Sequence, residues 1–274
     1  MCGICGIYNY RDGEPVSQTT VRDMTAAMVH RGPDDDGFHF AGALGLGMRR
    51  LSIIDLEGGA QPIASEAGTH ITVCNGEIYN FRELRAELEA HGHIFRTRSD
   101  TEALVHAYEQ WDFAFLTHLN GMFGLALWDA AERTLVLARD PYGIKPLYYH
   151  DTGDTIRFAS EIKSLLCDPA VPRAVDPLGL DLYLSFSYVP SPRTAFAGIH
   201  RLPPGYALVC TPRGCALRRY HIAAPTAMDS RGEAALVEEL RELIAAAVRR
   251  QMVADVPVGA LLSGGVDSTT TATL

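Results

Sequence analysis

Apolar residues fall in short runs whose spacing alternates between two periods. The stretch Gly3-Ile4-Cys5-Gly6-Ile7-Tyr8 is continuous and apolar, with Arg11-Asp12-Gly13 as a turn behind it, and predicts a buried strand. Val21, Met24 and Met28 recur at helical spacing, and His30-Arg31-Gly32-Pro33 ends that helix because proline cannot continue it. Strand-like runs follow at 44–48 and 71–74. Asn80 stands where a helix cap belongs, ahead of Phe81, Leu84 and Leu88, with a stop near Gly92. Ser99-Asp100-Thr101 opens a second helix carrying Leu104, Tyr108 and Trp111. Residues 123–128, 135–138, 147–149 and 156–159 then read as short strands divided by polar turns, as in an antiparallel sheet. Runs of strands with separate helix pairs predict a layered α+β domain.

The pattern changes after about Tyr206. Ala223-Ala224-Pro225 and Asp229-Ser230-Arg231-Gly232 read as a linker. From Glu233 an amphipathic helix carries Leu236, Leu240, Leu243, Ala247 and Val248 on one stripe. Residues 256–262 read as a buried strand entering Ser263-Gly264-Gly265-Val266-Asp267-Ser268. Strand, glycine turn and helix start form a setting in which backbone N–H groups hold phosphate, although an ordinary βα turn has the same outline. Ser263, Asp267 and Ser268 add hydroxyls and a carboxylate. No lysine follows the glycines, so it is not a Walker loop.

With 274 residues, 47% of them apolar, the chain has material for one large or two ordinary domains. A net charge of −9 argues against nucleic acid or an anionic membrane as a main partner. No run approaches a membrane span and no basic start precedes an apolar run, so the cytoplasm is the expected compartment. Six cysteines are too sparse for a disulfide scaffold. Cys2-x-x-Cys5 has no second pair and the ten histidines are scattered, so no metal site is expected.

Cys2 carries the most chemistry. An initiator methionine before cysteine is commonly removed, which leaves a thiol and an α-amine on one residue. The amine's ordinary pKa, about 7.7–8.0, lets it accept the thiol proton, so nucleophile and base share a residue and no histidine is required. A small apolar residue beginning a strand is the plain alternative. Asn75-Gly76-Glu77, placed directly after the 71–74 strand, offers a side-chain and a backbone N–H for an oxyanion, although Asn-Gly is also a common hairpin turn. Arg50 suits a carboxylate, while Glu77 and Asp100 suit an ammonium; each alone reads as a solvated charge. One cation with two anions matches the zwitterionic end of an amino acid.

These segments resemble the glutamine-dependent asparagine synthetase family, whose front half is a class II glutamine amidotransferase of the N-terminal-nucleophile hydrolase type. Besides the N-terminal segment, the matches are His30-Arg31-Gly32-Pro33-Asp34, Arg50-Leu51-Ser52-Ile53-Ile54-Asp55, Asn75-Gly76-Glu77-Ile78-Tyr79-Asn80 and Ser99-Asp100-Thr101-Glu102. Further on come Arg139-Asp140-Pro141-Tyr142-Gly143-Ile144-Lys145-Pro146, Phe158-Ala159-Ser160-Glu161-Ile162-Lys163 and Leu262-Ser263-Gly264-Gly265-Val266-Asp267-Ser268. The resemblance implies that Cys2 attacks the glutamine side-chain amide, with Asn75 and Gly76 at the oxyanion. It implies that Arg50 binds the α-carboxylate and Glu77 and Asp100 the α-ammonium. Leu51, Ser52, Ile53 and Ile54 would line the pocket, with Arg31 near it. Leu262, Ser263, Gly264, Gly265, Asp267 and Ser268 match the family's pyrophosphate loop. The implied partners are glutamine for the first half, and aspartate, ATP and magnesium for the second; the glutaminase half needs no cofactor.

The implied fold is a four-layer αββα glutaminase over 2–218, a linker over 219–232 and an incomplete α/β ATP-pyrophosphatase domain over 233–274. With so few βα units the ATP loop is expected to be incompetent in this chain, whether fragment or natural short protein. A homodimer or a separate synthetase half are the expected protein partners. Two other functions stay open: the glutaminase half of a related amide-forming enzyme of peptide or secondary metabolism, and a non-catalytic glutamine-binding regulator. The Ser263–Ser268 motif disfavours phosphosugar and phosphoribosyl relatives.

Overall fold

The computed structural model describes residues 1–222 and 230–274. The chain runs β1 (Gly3–Asn9), α1 (Gln18–Ala26), β2 (Asp35–Ala41), β3 (Leu44–Arg50), β4 (Ile63–Ala64) and β5 (His70–Ile78). Next come α2 (Phe81–Ala90), α3 (Glu102–Trp111), a 3₁₀ turn (Asp112–Thr117), β6 (Gly121–Asp129), β7 (Thr134–Arg139), β8 (Tyr148–Asp151) and β9 (Thr155–Ala159). After α4 (Ile162–Leu165), α5 (Pro177–Phe186) and β10 (His200–Arg201), the hairpin β11 (Tyr206–Thr211) and β12 (Gly214–Arg219) closes this body. Beyond the undescribed stretch lie α6 (Glu233–Gln251) and α7 (Val266–Thr273).

Two six-stranded antiparallel sheets form, in the orders β10-β8-β9-β1-β3-β2 and β12-β11-β7-β6-β5-β4. Side chains alternate across a strand, and here both faces are covered. Ile4 and Tyr8 of β1 enter the layer between the sheets with Leu46, Val73, Trp128 and Phe158. Cys5 and Ile7, on the opposite face, pack with Val21, Met24 and Met28 of the α1 segment. Likewise Ala126 and Trp128 of β6 face the inter-sheet layer, while Leu125 and Leu127 pack with Leu84, Leu88 and Leu104 of α2 and α3. Helix, sheet, sheet, helix is the expected four-layer αββα order. Each fully buried large apolar side chain contributes roughly 1.5–3 kcal/mol. Tyr8 meets Trp128 edge-on with ring centroids 4.9 Å apart and donates its hydroxyl to the Arg133 carbonyl at 2.7 Å, so the layer has no orphaned phenol there.

Four local expectations need correction. Asn75 and Gly76 lie inside β5, opposite Gly124 and Phe123, instead of in a turn after it, because β6 continues to offer a partner. Asn80 precedes α2 but does not cap it with its side chain; the amide instead donates to the His118 carbonyl and accepts from the Asn120 N–H. Residues 256–262 form no strand, and Leu261 is 97% exposed, since no described strand lies beside them to take their backbone hydrogen bonds. The apolar stripe of α6 buries nothing, with Leu240 and Leu243 both exposed.

Arg219 still belongs to β12 and the Tyr220 hydroxyl donates to the Arg139 carbonyl, so the packed body runs slightly past residue 218. Residues 223–229, half of the expected linker, lie outside the described residues. Cys210 and Cys215, cross-strand partners in the β11–β12 hairpin, are joined in a disulfide that their spacing did not single out. Among the described residues no helix is long and apolar enough to cross a membrane.

Candidate active site

Cys2 precedes β1 at the rim of the inter-sheet layer. Its Sγ lies 3.4 Å from the Leu51 amide and 3.7 Å from the Leu51 carbonyl. Its own carbonyl accepts a 2.8 Å hydrogen bond from Arg31 Nε, and Arg31 Nη1 reaches Glu161 at 3.0 Å. His30 and Lys163 meet the same carboxylate at 2.9 and 3.2 Å. Burial opposes a charge on Glu161, but hydrogen bonds from His30, Arg31 and Lys163 prevail and hold its carboxyl down to about 2. Arg31 is therefore a clamp on the backbone of Cys2.

Burial pushes the Cys2 thiol up, against the pull of the Leu51 amide, the chain's amine and Arg50. Burial pushes that amine down; Cys2 opposes the shift while Arg31 and Lys145 add to it. The amine belongs to Met1 here and to Cys2 once Met1 is removed. A protonated thiol beside a partly neutral amine is the starting state for base-assisted attack.

Asn75 is fully buried, and neither Nδ2 nor Oδ1 has a hydrogen-bond partner. An unpaired buried amide costs roughly 1–3 kcal/mol, so a ligand that completes its hydrogen bonds is favoured by a similar amount. Gly76 is needed for close approach of the strands. A Cβ there would stand 2.7 Å from the Phe123 Cα and collide with the Met122 carbonyl of β6.

Glu77 and Asp100 line the same cavity as Cys2 and Asn75. Burial pushes both carboxyls up, with Lys145 pulling Glu77 back and the Ile78 and Thr101 amides pulling Asp100 back. A buried and a half-buried carboxyl raised in this way favour a cation between them. Arg50 also borders the cavity, yet its guanidinium is hydrogen-bonded to the carbonyls of Ile54, Asp55 and Leu56 at 3.0, 2.6 and 3.1 Å. It shapes the loop after β3 as well as the cavity wall. Leu51, Ile53 and Ile54 line the cavity as expected. Ser52 is not among the lining residues, and its amide donates to Asp34 Oδ2 at 2.8 Å.

Gln61 and Lys145 are among the lining residues with no role assigned from sequence. Gln61 accepts from the Cys74 amide at 2.7 Å and donates to Thr101 Oγ1 at 3.2 Å, bridging β5 to the start of α3. Lys145 enters from the Arg139–Pro146 segment, which is held together by its own hydrogen bonds. Asp140 takes the amides of Tyr142, Ile144 and Lys145, and Arg139 donates to the carbonyls of Gly143 and Lys145. That internal network fixes the loop and delivers Lys145, 7% exposed, to the cavity.

The second motif stands apart. Leu262, Ser263, Gly264, Gly265, Asp267 and Ser268 are together at the start of α7, and none lines the Cys2 cavity. Ser263 Oγ and Ser268 Oγ are 2.9 Å apart, and Ser268 donates to the Gly265 carbonyl. Gly264 has φ +79° and open space where a Cβ would stand. The helix start is available to an anion, so these residues fit one wall of a phosphate site.

Residues 1–221 match the glutamine amidotransferase domain family, and residues 239–274 match the asparagine synthase family. "Asparagine synthetase [glutamine-hydrolyzing] 1" of Bacillus subtilis (strain 168) is 41% identical over 98% of this chain and 43% of its own length. The synthetase numbered 3 of the same organism is 38% identical over 98% of this chain and 44% of its own length. The chain thus spans less than half of these relatives. The solved glutamine phosphoribosylpyrophosphate amidotransferase from B. subtilis shares the fold, with a TM-score of 0.57 and 20% identity over 81% of this chain and 50% of that one. A family match across residues 1–221, in an αββα body with Cys2 beside its cavity, leads to one assignment: the chain belongs to the glutamine amidotransferase domain family.

Proposed function

We propose that the cavity hydrolyses glutamine to glutamate and ammonia. The observation that carries this reading is Asn75, a buried carboxamide with no partner, in the same cavity as a thiol and a pair of raised carboxyls. Glutamine's α-ammonium meets Glu77 and Asp100, its α-carboxylate meets Arg50, and Leu51, Ile53 and Ile54 enclose the chain between. The Cys2 thiol gives its proton to the α-amine as sulfur attacks the side-chain carbonyl carbon. Asn75 Nδ2 and the Gly76 N–H hold the oxyanion. The amine passes the proton to the departing nitrogen, which leaves as ammonia, and a γ-glutamyl thioester remains. Water, deprotonated by the same amine, cleaves the thioester to glutamate and restores the thiol.

The matched synthase segment supports a destination for the ammonia: amidation of aspartate to asparagine at a second, ATP-using site. Ser263, Gly264, Gly265, Asp267 and Ser268 with Leu262 would contribute the pyrophosphate-facing wall of that site, magnesium accompanying the nucleotide. We assign 2–218, extended by Arg219 and Tyr220, to the glutaminase, the rest of 219–232 to the linker and 233–274 to the synthetase portion, in a cytoplasmic enzyme.

The test is glutamate release from glutamine by the purified chain after Met1 removal. Activity is expected for the native chain and none for Cys2→Ala or for a chain that retains Met1. Equal release by native and Cys2→Ala proteins would sink the mechanism.

A further inference from the structure

Away from the Cys2 cavity, the fold gathers three of the scattered histidines around one carboxylate. Glu102, His106 and Glu109 follow one another at i, i+4 and i+7 along a single stripe of α3. His93 arrives from the turn behind α2, where Gly92 takes φ +97°. His106 Nδ1 lies 3.1 Å from Glu109 Oε2, and His93 Nδ1 lies 3.5 Å from the same oxygen.

The remaining atoms of the cluster face other partners. His93 Nε2 pairs with Gln110 Oε1 at 3.2 Å. His106 Nε2 is buried 3.7 Å from Glu102 Oε1, and Glu102 is itself fixed by the amides of Arg96 and Thr97. The other oxygen of Glu109 meets His70 Nδ1 at 3.1 Å. Gln110 takes the far nitrogen of His93 and His70 the far oxygen of Glu109, while His106 Nε2 faces Glu102 without a hydrogen bond. Two imidazole Nδ1 atoms and one carboxylate oxygen converge. Either protons on the two Nδ1 atoms or one shared cation must satisfy the lone pairs that meet there, and the clustering of all three atoms suits a single cation.

We propose that His93 Nδ1, His106 Nδ1 and Glu109 Oε2 bind a divalent transition-metal ion of the zinc class. Ligand atoms about 2.0–2.1 Å from a tetrahedral zinc sit roughly 3.3 Å from each other, and the two separations from Glu109 straddle that spacing. Glu66 Oε2, 3.6 Å from His106 Nδ1 and on a side chain 31% exposed, is placed to be the fourth ligand or to yield to water. Gln110, Glu102 and His70 supply the outer contacts that orient metal-binding side chains. His93 and Glu109 are half-buried and Glu109 borders an open surface cavity, which gives an ion a way in. The glutamine chemistry uses none of these residues. The helix that carries the ligands starts just after Asp100, so an ion there would brace the segment that holds this cavity residue.

The test is calorimetric titration of the metal-free, untagged chain with zinc chloride, alongside Cys2→Ala, His93→Ala and Glu109→Gln. One zinc per chain is expected in the native and Cys2→Ala proteins, with affinity at least tenfold weaker in His93→Ala and in Glu109→Gln. Zinc should also raise the melting temperature of the native chain and leave Glu109→Gln unmoved, and cobalt(II) should give the visible absorption of a four-coordinate site. Absence of saturable binding overturns the proposal, as does binding that survives both ligand substitutions or disappears only in Cys2→Ala. If zinc fails to bind and both imidazoles titrate as cations beside Glu109 by NMR, the cluster is a proton-bridged ion group instead.

Discussion

The amide of Asp55 donates a 2.7 Å hydrogen bond to the carboxylate of Asp255, a residue 200 positions further along the chain. The amide of Asp255 returns a 2.8 Å bond to the Ile53 carbonyl. Asp55 takes φ +51°, and its own carboxylate accepts from the amides of Gly58 and Arg98. The segment after α6 therefore grips the loop whose carbonyls surround Arg50, so the synthase-matched portion of the chain helps to hold one wall of the Cys2 cavity.

Asp255→Ala should loosen that wall without touching the nucleophile. An exposed hydrogen bond of this kind contributes about 0.5–1.5 kcal/mol. We expect KM for glutamine to rise about two- to tenfold, since 1.4 kcal/mol is a factor of ten, with kcat little changed. Steady-state kinetics of glutamate release decide it; a fall in kcat at constant KM would place the effect elsewhere.

Asn75→Ala should separate activity from stability. Loss of one oxyanion donor lowers kcat by about 10²–10³. The same substitution removes a buried amide with neither atom paired and leaves its space continuous with the existing cavity. Thermal melting should therefore give an unchanged or higher Tm while glutamate release collapses. A large loss of Tm would mean that Asn75 supports the fold.

Period-two and period-3.6 patterns located β1, α1, β3, α2, α3 and β6 because those residues bury faces against both neighbours. The same pattern misled at 256–262, where apolar residues have no strand to pair with, and at Asn75-Gly76, where β6 extends the ladder through a turn-like pair. Cys2, Arg50, Glu77 and Asp100 each lie in a short contiguous motif, and the fold brings all four to one cavity. Gln61, Lys145 and the clamp by Arg31 were not legible, since each acts through a contact distant in sequence. The His93–His106–Glu109 cluster has the same cause: only the packing of α2 against α3 brings its members together.

The pH dependence of kcat/KM should report the N-terminal amine. While Met1 is retained, burial, with Arg31 and Lys145, pushes the terminal amine below its ordinary value of 8.0. The Cys2 amine freed by Met1 removal lies near the same two cations, so its neutral form should appear at lower pH than in a free peptide. The ascending limb for glutamine should have its midpoint below 8.0. Lys145→Met removes one of the charges that depress the amine, and its midpoint should move upward. A midpoint unaffected by Lys145→Met, measured at constant ionic strength, would show that another group governs the limb.

Acid should weaken the clamp on the nucleophile's backbone through Glu161. Its carboxyl, ordinarily 4.5, is held to about 2 because hydrogen bonds from His30, Arg31 and Lys163 outweigh burial. The folded chain thus binds this proton less readily than the unfolded chain, and unfolding takes it up as pH falls. The stabilisation is fully present above about 4.5 and is lost between there and about 2. Glu102, also held to about 2, adds a loss of the same sign in the same window. Denaturant midpoints for native and Glu161→Gln chains should differ most above pH 4.5 and converge toward pH 2, since protonated Glu161 and glutamine are alike in charge. The variant should also release glutamate more slowly at neutral pH, because Arg31 loses the carboxylate that orients it toward the Cys2 carbonyl. A constant difference in midpoint across this range would remove Glu161 from the acid response.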